Sequence, residues 1–101
     1  MGSSGGGGSV KLITVGVDSQ GNPTVNPTDA DLWSTTGDTC KWFSSTVSFV
    51  ITFATGSPFA QSSFSGMSAL SGAIKTGATG PYKYSVQVGT KILDPTVKVY
   101  P

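Results

Sequence analysis

Histidine is missing from all 101 residues, and cysteine occurs once, at Cys40. Every base is lysine and every acid aspartate, so arginine and glutamate are missing as well. Without an imidazole there is no base for Ser-His-Asp or Cys-His chemistry, despite abundant serine. A lone cysteine excludes an internal disulfide and any multi-cysteine zinc site. Charged residues are 11% of the chain, well under half of the usual quarter or so. The six lysines (Lys11, Lys41, Lys75, Lys83, Lys91 and Lys98) are scattered and the net charge is +1. Phosphate backbones call for bases clustered on one face, so nucleic acid is not an expected partner. No run approaches the roughly 20 apolar residues of a membrane span.

Apolar residues (37%) and aromatics (10%) suffice for one packed interior. The expected organisation is a leader and flexible linker over 1–9 (MGSSGGGGS), then a single domain over 10–101. A composition rich in Thr, Ser and Gly, without Glu or Arg, favours strands and tight turns and predicts no long helix.

Period-two alternation begins at Val10, with Lys11, Ile13, Val15 and Val17 on one face, and ends at the turn cluster 18–23. A short extended piece over 24–26 follows. Further strands are expected over 29–33, 39–43 and 46–53. The last places Val47, Phe49, Ile51 and Phe53 on one face and reads as central. Residues 54–67 read as a long irregular loop carrying Phe59 and Phe64. A weaker strand over 69–76 is interrupted by Gly72. The remaining strands are 82–88, with Tyr82, Tyr84, Val86 and Val88 aligned, and a last one built from 92–93 and 96–100 after a turn at 89–91. Seven to eight short strands with frequent turns predict an all-β Greek-key β-sandwich.

Three segments carry a family likeness: Gly37-Asp38-Thr39-Cys40-Lys41-Trp42, then Val47 to Phe53 followed by Ser57-Pro58-Phe59, and Gly80-Pro81-Tyr82-Lys83-Tyr84 with the closing Asp94 to Val99. Together they resemble cupredoxins, the plastocyanin-like domains in which a G-D-x-V-x-W strand, an H-x-V-x-F strand and a G-x-Y-x-Y/F hairpin recur. The resemblance implies a cupredoxin-like fold from Ile13 to Val99. It also implies where copper ligands would stand. The first histidine falls on Phe49 and the cysteine on Val86, while 87–93 supplies neither His nor Met, and neither Met1 nor Met67 is placed to serve. A type 1 copper site needs sulfur and imidazole donors, so no cofactor or metal is expected. Copper-free relatives such as ephrins use the sandwich for protein recognition.

The expectation is therefore a non-catalytic, copper-free module of an exported bacterial protein, extracellular or periplasmic, monomeric, used for recognition or as a spacer. Its rivals are a copper-binding electron-transfer protein and an Ig-like adhesion domain. Cys40 reads as an inert core residue. Asp29, Asp31 and Asp38 are near enough in sequence to suggest paired carboxylates, but read as solvated turn or strand acids. Calcium would need only oxygen ligands, yet their spacing matches no recognised loop. A Lys–Asn isopeptide crosslink would need a buried acid beside Lys11 or Lys41 and Asn22 or Asn26. Pro58, Phe59 and Phe64 form either a lid over the open end of the core or a contact surface for protein or glycan through loop 54–67. Trp33 is a further contact candidate, facing solvent, whereas Trp42 belongs to the core.

Overall fold

Alternating apolar and polar residues need a pleated strand that buries one face, and β1 (Val10–Val17) does so with Ile13 and Val15 inward and Leu12 and Thr14 outward. The computed structural model describes residues 9–101. The segment expected to be a leader therefore lies outside the described residues, except Ser9. That residue is tied to the domain, because its N–H donates to Asp38 Oδ1 and its carbonyl accepts the Thr39 N–H.

The strands that follow are β2 (Pro23–Asn26), β3 (Asp29–Trp33), β4 (Thr39–Phe43), β5 (Phe49–Thr52), β6 (Ser63–Gly66), β7 (Ser68–Leu70), β8 (Gly80–Lys83), β9 (Ser85–Val88), β10 (Lys91–Leu93) and β11 (Thr96–Tyr100). A 3-10 turn, Ser34–Thr36, is the one helical piece among the described residues. The all-β sandwich stands as expected, with eleven strands in place of seven or eight.

One layer has the order β2-β1-β4-β7, with β1 parallel to β4 and the other pairs antiparallel. The other layer is built from two ladders, β10-β9-β5-β6 and β3-β11-β8. These ladders share a hairpin. Val86 opposite Leu93 and Lys83 opposite Thr96 lie in the same register, so β8 and β9 form one arm and β10 and β11 the other. Between them the Tyr84 N–H donates to the Pro95 carbonyl at 3.0 Å. Pro95 has no N–H to return, and the ladder breaks there. Tyr82, Tyr84, Val86 and Val88 therefore share a face as the alternation predicts, yet the segment counts as two strands. At the far end of the hairpin the turn is only Gly89-Thr90, and Gly89 takes φ +62°, as a two-residue hairpin with glycine first requires.

Three sequence expectations are corrected. The strand expected over 46–53 begins only at Phe49, because Ser44 Oγ accepts the N–H groups of Thr46 (3.2 Å) and Val47 (3.0 Å) and turns that segment away from the ladder. The irregular loop of 54–67 contains a strand of four residues. Its Ser63–Gly66 portion pairs with β5, placing Phe64 opposite Ile51. The strand expected over 69–76 covers only Ser68–Leu70, after which Ile74 makes a single bridge to Phe59.

One core fills the space between the layers, drawing Ile13, Trp42, Ile51, Val86 and Val97, among others, from both. Trp42 is its centre. The rings of Phe64, Tyr84, Phe53 and Phe59 pack around it with centroids 5.3 to 6.3 Å away. Its Nε1–H donates to Tyr84 Oη at 3.2 Å, so both polar tips are satisfied inside the core. Burial pushes the Tyr84 phenol well above its ordinary value, the Trp42 hydrogen bond opposing only in part.

Candidate functional site

The outer face of β3, β11 and β8 gathers groups from three parts of the chain. β3 alternates Ala30 and Leu32 inward against Asp29, Asp31 and Trp33 outward. β11 buries Val97 and Val99 and turns Lys98 and Tyr100 out, with Thr96 half-buried beside them. β8 adds Pro81 and Lys83. Parallel pairing of β3 with β11 sets Tyr100 beside Trp33, and Lys98 beside Asp31; antiparallel pairing with β8 sets Lys98 opposite Pro81 and Thr96 opposite Lys83.

Trp33 and Tyr100 stack, with centroids 4.8 Å apart and planes 28° apart. They remain 42% and 37% exposed, so the pair is a surface feature and no part of the core. The Tyr100 hydroxyl donates to Asp31 Oδ1 at 3.3 Å, which fixes the ring over the sheet. On the side of β11 away from Trp33, a groove of about 420 Å³ is bounded by Thr79, Gly80, Pro81, Lys98, Val99, Tyr100 and Pro101. β11 lies between β3 and β8, and Tyr100 both stacks on Trp33 and lines the groove, which Trp33 does not.

Asp38 holds this corner in place. It is 4% exposed and accepts the Trp33 N–H on Oδ2 (3.0 Å), with the Ser9 N–H (2.9 Å) and the Thr36 hydroxyl (3.0 Å) on Oδ1. Desolvation pushes its pKa up, but the three hydrogen bonds and nearby Lys11 outweigh it and leave the carboxyl below its ordinary value. The turn beneath it closes on Gly37 at φ +74°, a conformation that suits glycine.

The expected contact residues separate cleanly. Trp33 is exposed, as the sequence suggests. Pro58, Phe59 and Phe64 are buried, the first two completely, so of the two readings of loop 54–67 the burial agrees with a lid and corrects the contact surface. The physical reason is the aromatic cluster around Trp42 together with local stapling. Ser57 Oγ accepts the Phe59 N–H at 3.0 Å and donates to the Gln61 carbonyl at 2.7 Å, while the Pro58 carbonyl accepts the Lys75 N–H at 2.7 Å. These rings close one end of the core.

Cys40 is fully buried. Its N–H donates to Ser71 Oγ at 2.9 Å, and burial foremost, with the Asp38 charge adding, pushes the thiol up to about 12. A nucleophilic or metal-binding thiol needs the opposite shift. Asp29 and Asp31 share the outer face of β3, whereas Asp38 is occupied by its three donors, so the three do not converge as a carboxylate site. Phe49 and Val86 stand on the paired strands β5 and β9, 2% and 0% exposed. Among the described residues no helix is long and apolar enough to cross a membrane.

Comparison with protein-family models and with curated proteins found no match to this chain. Tyr100, Lys98 and Pro81 are absent from the sequence-derived candidates. The alternation of 96–100 marks Tyr100 as outward-facing, but nothing local signals that it meets Trp33 across a parallel pairing 67 positions away in sequence.

Proposed function

We propose that this chain is a non-catalytic, copper-free module of Greek-key, cupredoxin-like form, belonging to an exported bacterial protein and serving in recognition. One observation carries the copper-free part. At the two positions where the resemblance would place a histidine and a cysteine, the chain has Phe49 and Val86, both packed into the core on adjacent strands. Replacing donors by apolar side chains removes ligands and fills the space they would line. Cys40, the remaining sulfur donor with a thiol, is buried on the opposite layer with its pKa raised to about 12.

Recognition is favoured over a passive spacer by the Trp33–Tyr100 pair. A stacked, exposed aromatic pair beside an apolar groove is the kind of surface that binding proteins present. Its position on strands, not on a mobile loop, holds the rings in a defined geometry.

Titration with Cu(II) and Cu(I), followed by visible absorption and by equilibrium dialysis, tests the reading. No intense blue band and no stoichiometric retention of copper are expected. Retention of one copper per chain, lost on Cys40→Val, would overturn it in favour of an electron-transfer or copper-handling role.

A further inference from the structure

We infer that a second copy of this chain docks on β7, antiparallel across a two-fold axis, so that the β2-β1-β4-β7 layers of the two copies join into one sheet. The Trp33–Tyr100 surface lies on the other layer and takes no part in it. A monomer is the expectation from sequence, because an open margin shows only once the strand order is known.

A strand at the margin of a ladder has backbone N–H and C=O groups without partners, and proteins guard such margins with proline or charge. The margins here are β2 and β7, β6 and β10, and β3 and β8. β2 begins at Pro23 and is followed by Pro27, β3 carries Asp29 and Asp31, β8 carries Pro81 and Lys83, and β10 carries Lys91 and leads into Asp94-Pro95. β6 and β7 carry neither guard. No charged residue occurs between Lys41 and Lys75, and the one proline in that span, Pro58, precedes both strands. β6 offers water only the side chains of Ser63 and Ser65, whereas β7 offers Leu70, which at 64% is the most exposed large apolar side chain among the described residues.

Backbone direction fixes which groups of β7 are free. The Met67 carbonyl accepts the Ser44 N–H at 2.8 Å and the Ser71 N–H donates to the Cys40 carbonyl at 2.9 Å, so 67, 69 and 71 turn their backbone groups toward β4. Ser68 and Leu70 alternate with them and turn theirs to the open margin. Only another extended backbone presents donors and acceptors at that spacing, which selects a strand as the occupant. The margin is also its own complement. With a two-fold axis at Ala69, Ser68 lies opposite Leu70 of the second copy and Leu70 opposite its Ser68, and each pair exchanges two hydrogen bonds. The two Leu70 side chains then become diagonal neighbours on adjacent strands, within reach of each other. Ser68 is small, so each Leu70 also extends over it toward Phe43, the half-exposed partner of Ser68 on β4. Lys41 pairs with Leu70 on the side away from the margin, so no like charges meet across the axis.

Sedimentation equilibrium of the chain as it stands, from about 10 μM to about 1 mM, covers micromolar to millimolar association. The weight-average mass should rise from 10.3 kDa toward twice that value and level off. In the same samples the amide exchange of Ser68 and Leu70 should slow as concentration rises. Leu70→Lys, at an exposed position that leaves the fold intact, should weaken association at least about tenfold. Ser68→Pro, which removes an N–H that β4 does not use, should do the same, while Ile92→Lys on the exposed face of β10 should leave it unchanged.

A mass of 10.3 kDa at every concentration would overturn the inference. If the Ser68 and Leu70 amides of that monomer then shift on addition of a blocked alternating Thr-Val hexapeptide, the margin belongs to a strand of another protein. Association that survives both Leu70→Lys and Ser68→Pro would place the interface elsewhere and overturn it too. A mass that climbs past two copies without levelling would replace two-fold closure with open-ended stacking.

Discussion

Asp38 is the one buried acid among the described residues, and its carboxylate accepts three hydrogen bonds. Its three donors come from the first strand's entry, the end of β3 and the 3-10 turn that follows β3, so one carboxylate stitches the edge that carries Trp33. The hydrogen bonds hold the native pKa below that of the unfolded chain despite burial. A carboxyl of this kind stabilises the fold at pH values above its unfolded pKa of about 4, and the contribution is lost as pH falls through the lower native value. Asp38→Asn should cost about 1–3 kcal/mol at pH 7 and flatten the acid limb of the stability profile. Urea unfolding at a series of pH values from neutral downward measures both, and an unchanged acid limb would show that other carboxyls govern it. Asp18, also lowered by the Asn22 and Gln20 N–H groups, is fully exposed in its turn and serves as the control.

At the scale of elements, the informative segment is 54–67. Its two phenylalanines sit among Ser, Gly and Gln, and no periodicity distinguishes a surface loop from a strand that uses one ring every few residues. What decides is the Trp42 cluster, which forms only when the layers close and so is invisible to local pattern. Phe59 touches both Trp42 and Phe53 edge to face, at 6.3 and 5.9 Å. Phe59→Ala should lower stability by about 3–5 kcal/mol. Denaturation midpoints in urea measure the loss; an unchanged midpoint would return this loop to the surface. By contrast, β1, β3 and β4 were legible to the residue, because each buries alternate side chains against one core and keeps the others wet. The break at Tyr84 and Pro95 was hidden since it depends on which residue faces a proline across the hairpin.

For the molecule as a whole, what is legible in the sequence is the class of fold and the lack of histidine, arginine and glutamate, and what is not is anything that depends on pairing between distant strands. Trp33 was within reach as an exposed ring, but its partner Tyr100 needed the β3–β11 register. The same cooperative closure makes a prediction at alkaline pH. Cys40 and Tyr84 are weak acids whose native pKa values are raised by burial, so the unfolded chain ionises first as pH rises. Stability should fall once pH exceeds the ordinary thiol value of 9.0, continuing toward the native value of about 12. Each such group contributes a slope of about 1.4 kcal/mol per pH unit. Lysine deprotonation also acts in this window, so the thiol's share is read as a difference. The stability of the wild-type chain minus that of Cys40→Val should decline by roughly that slope above pH 9 and stay constant below it. A constant difference across the whole range would mean that the thiol ionises as readily inside the sandwich as outside, contrary to a closed core beneath Ser71 and Trp42.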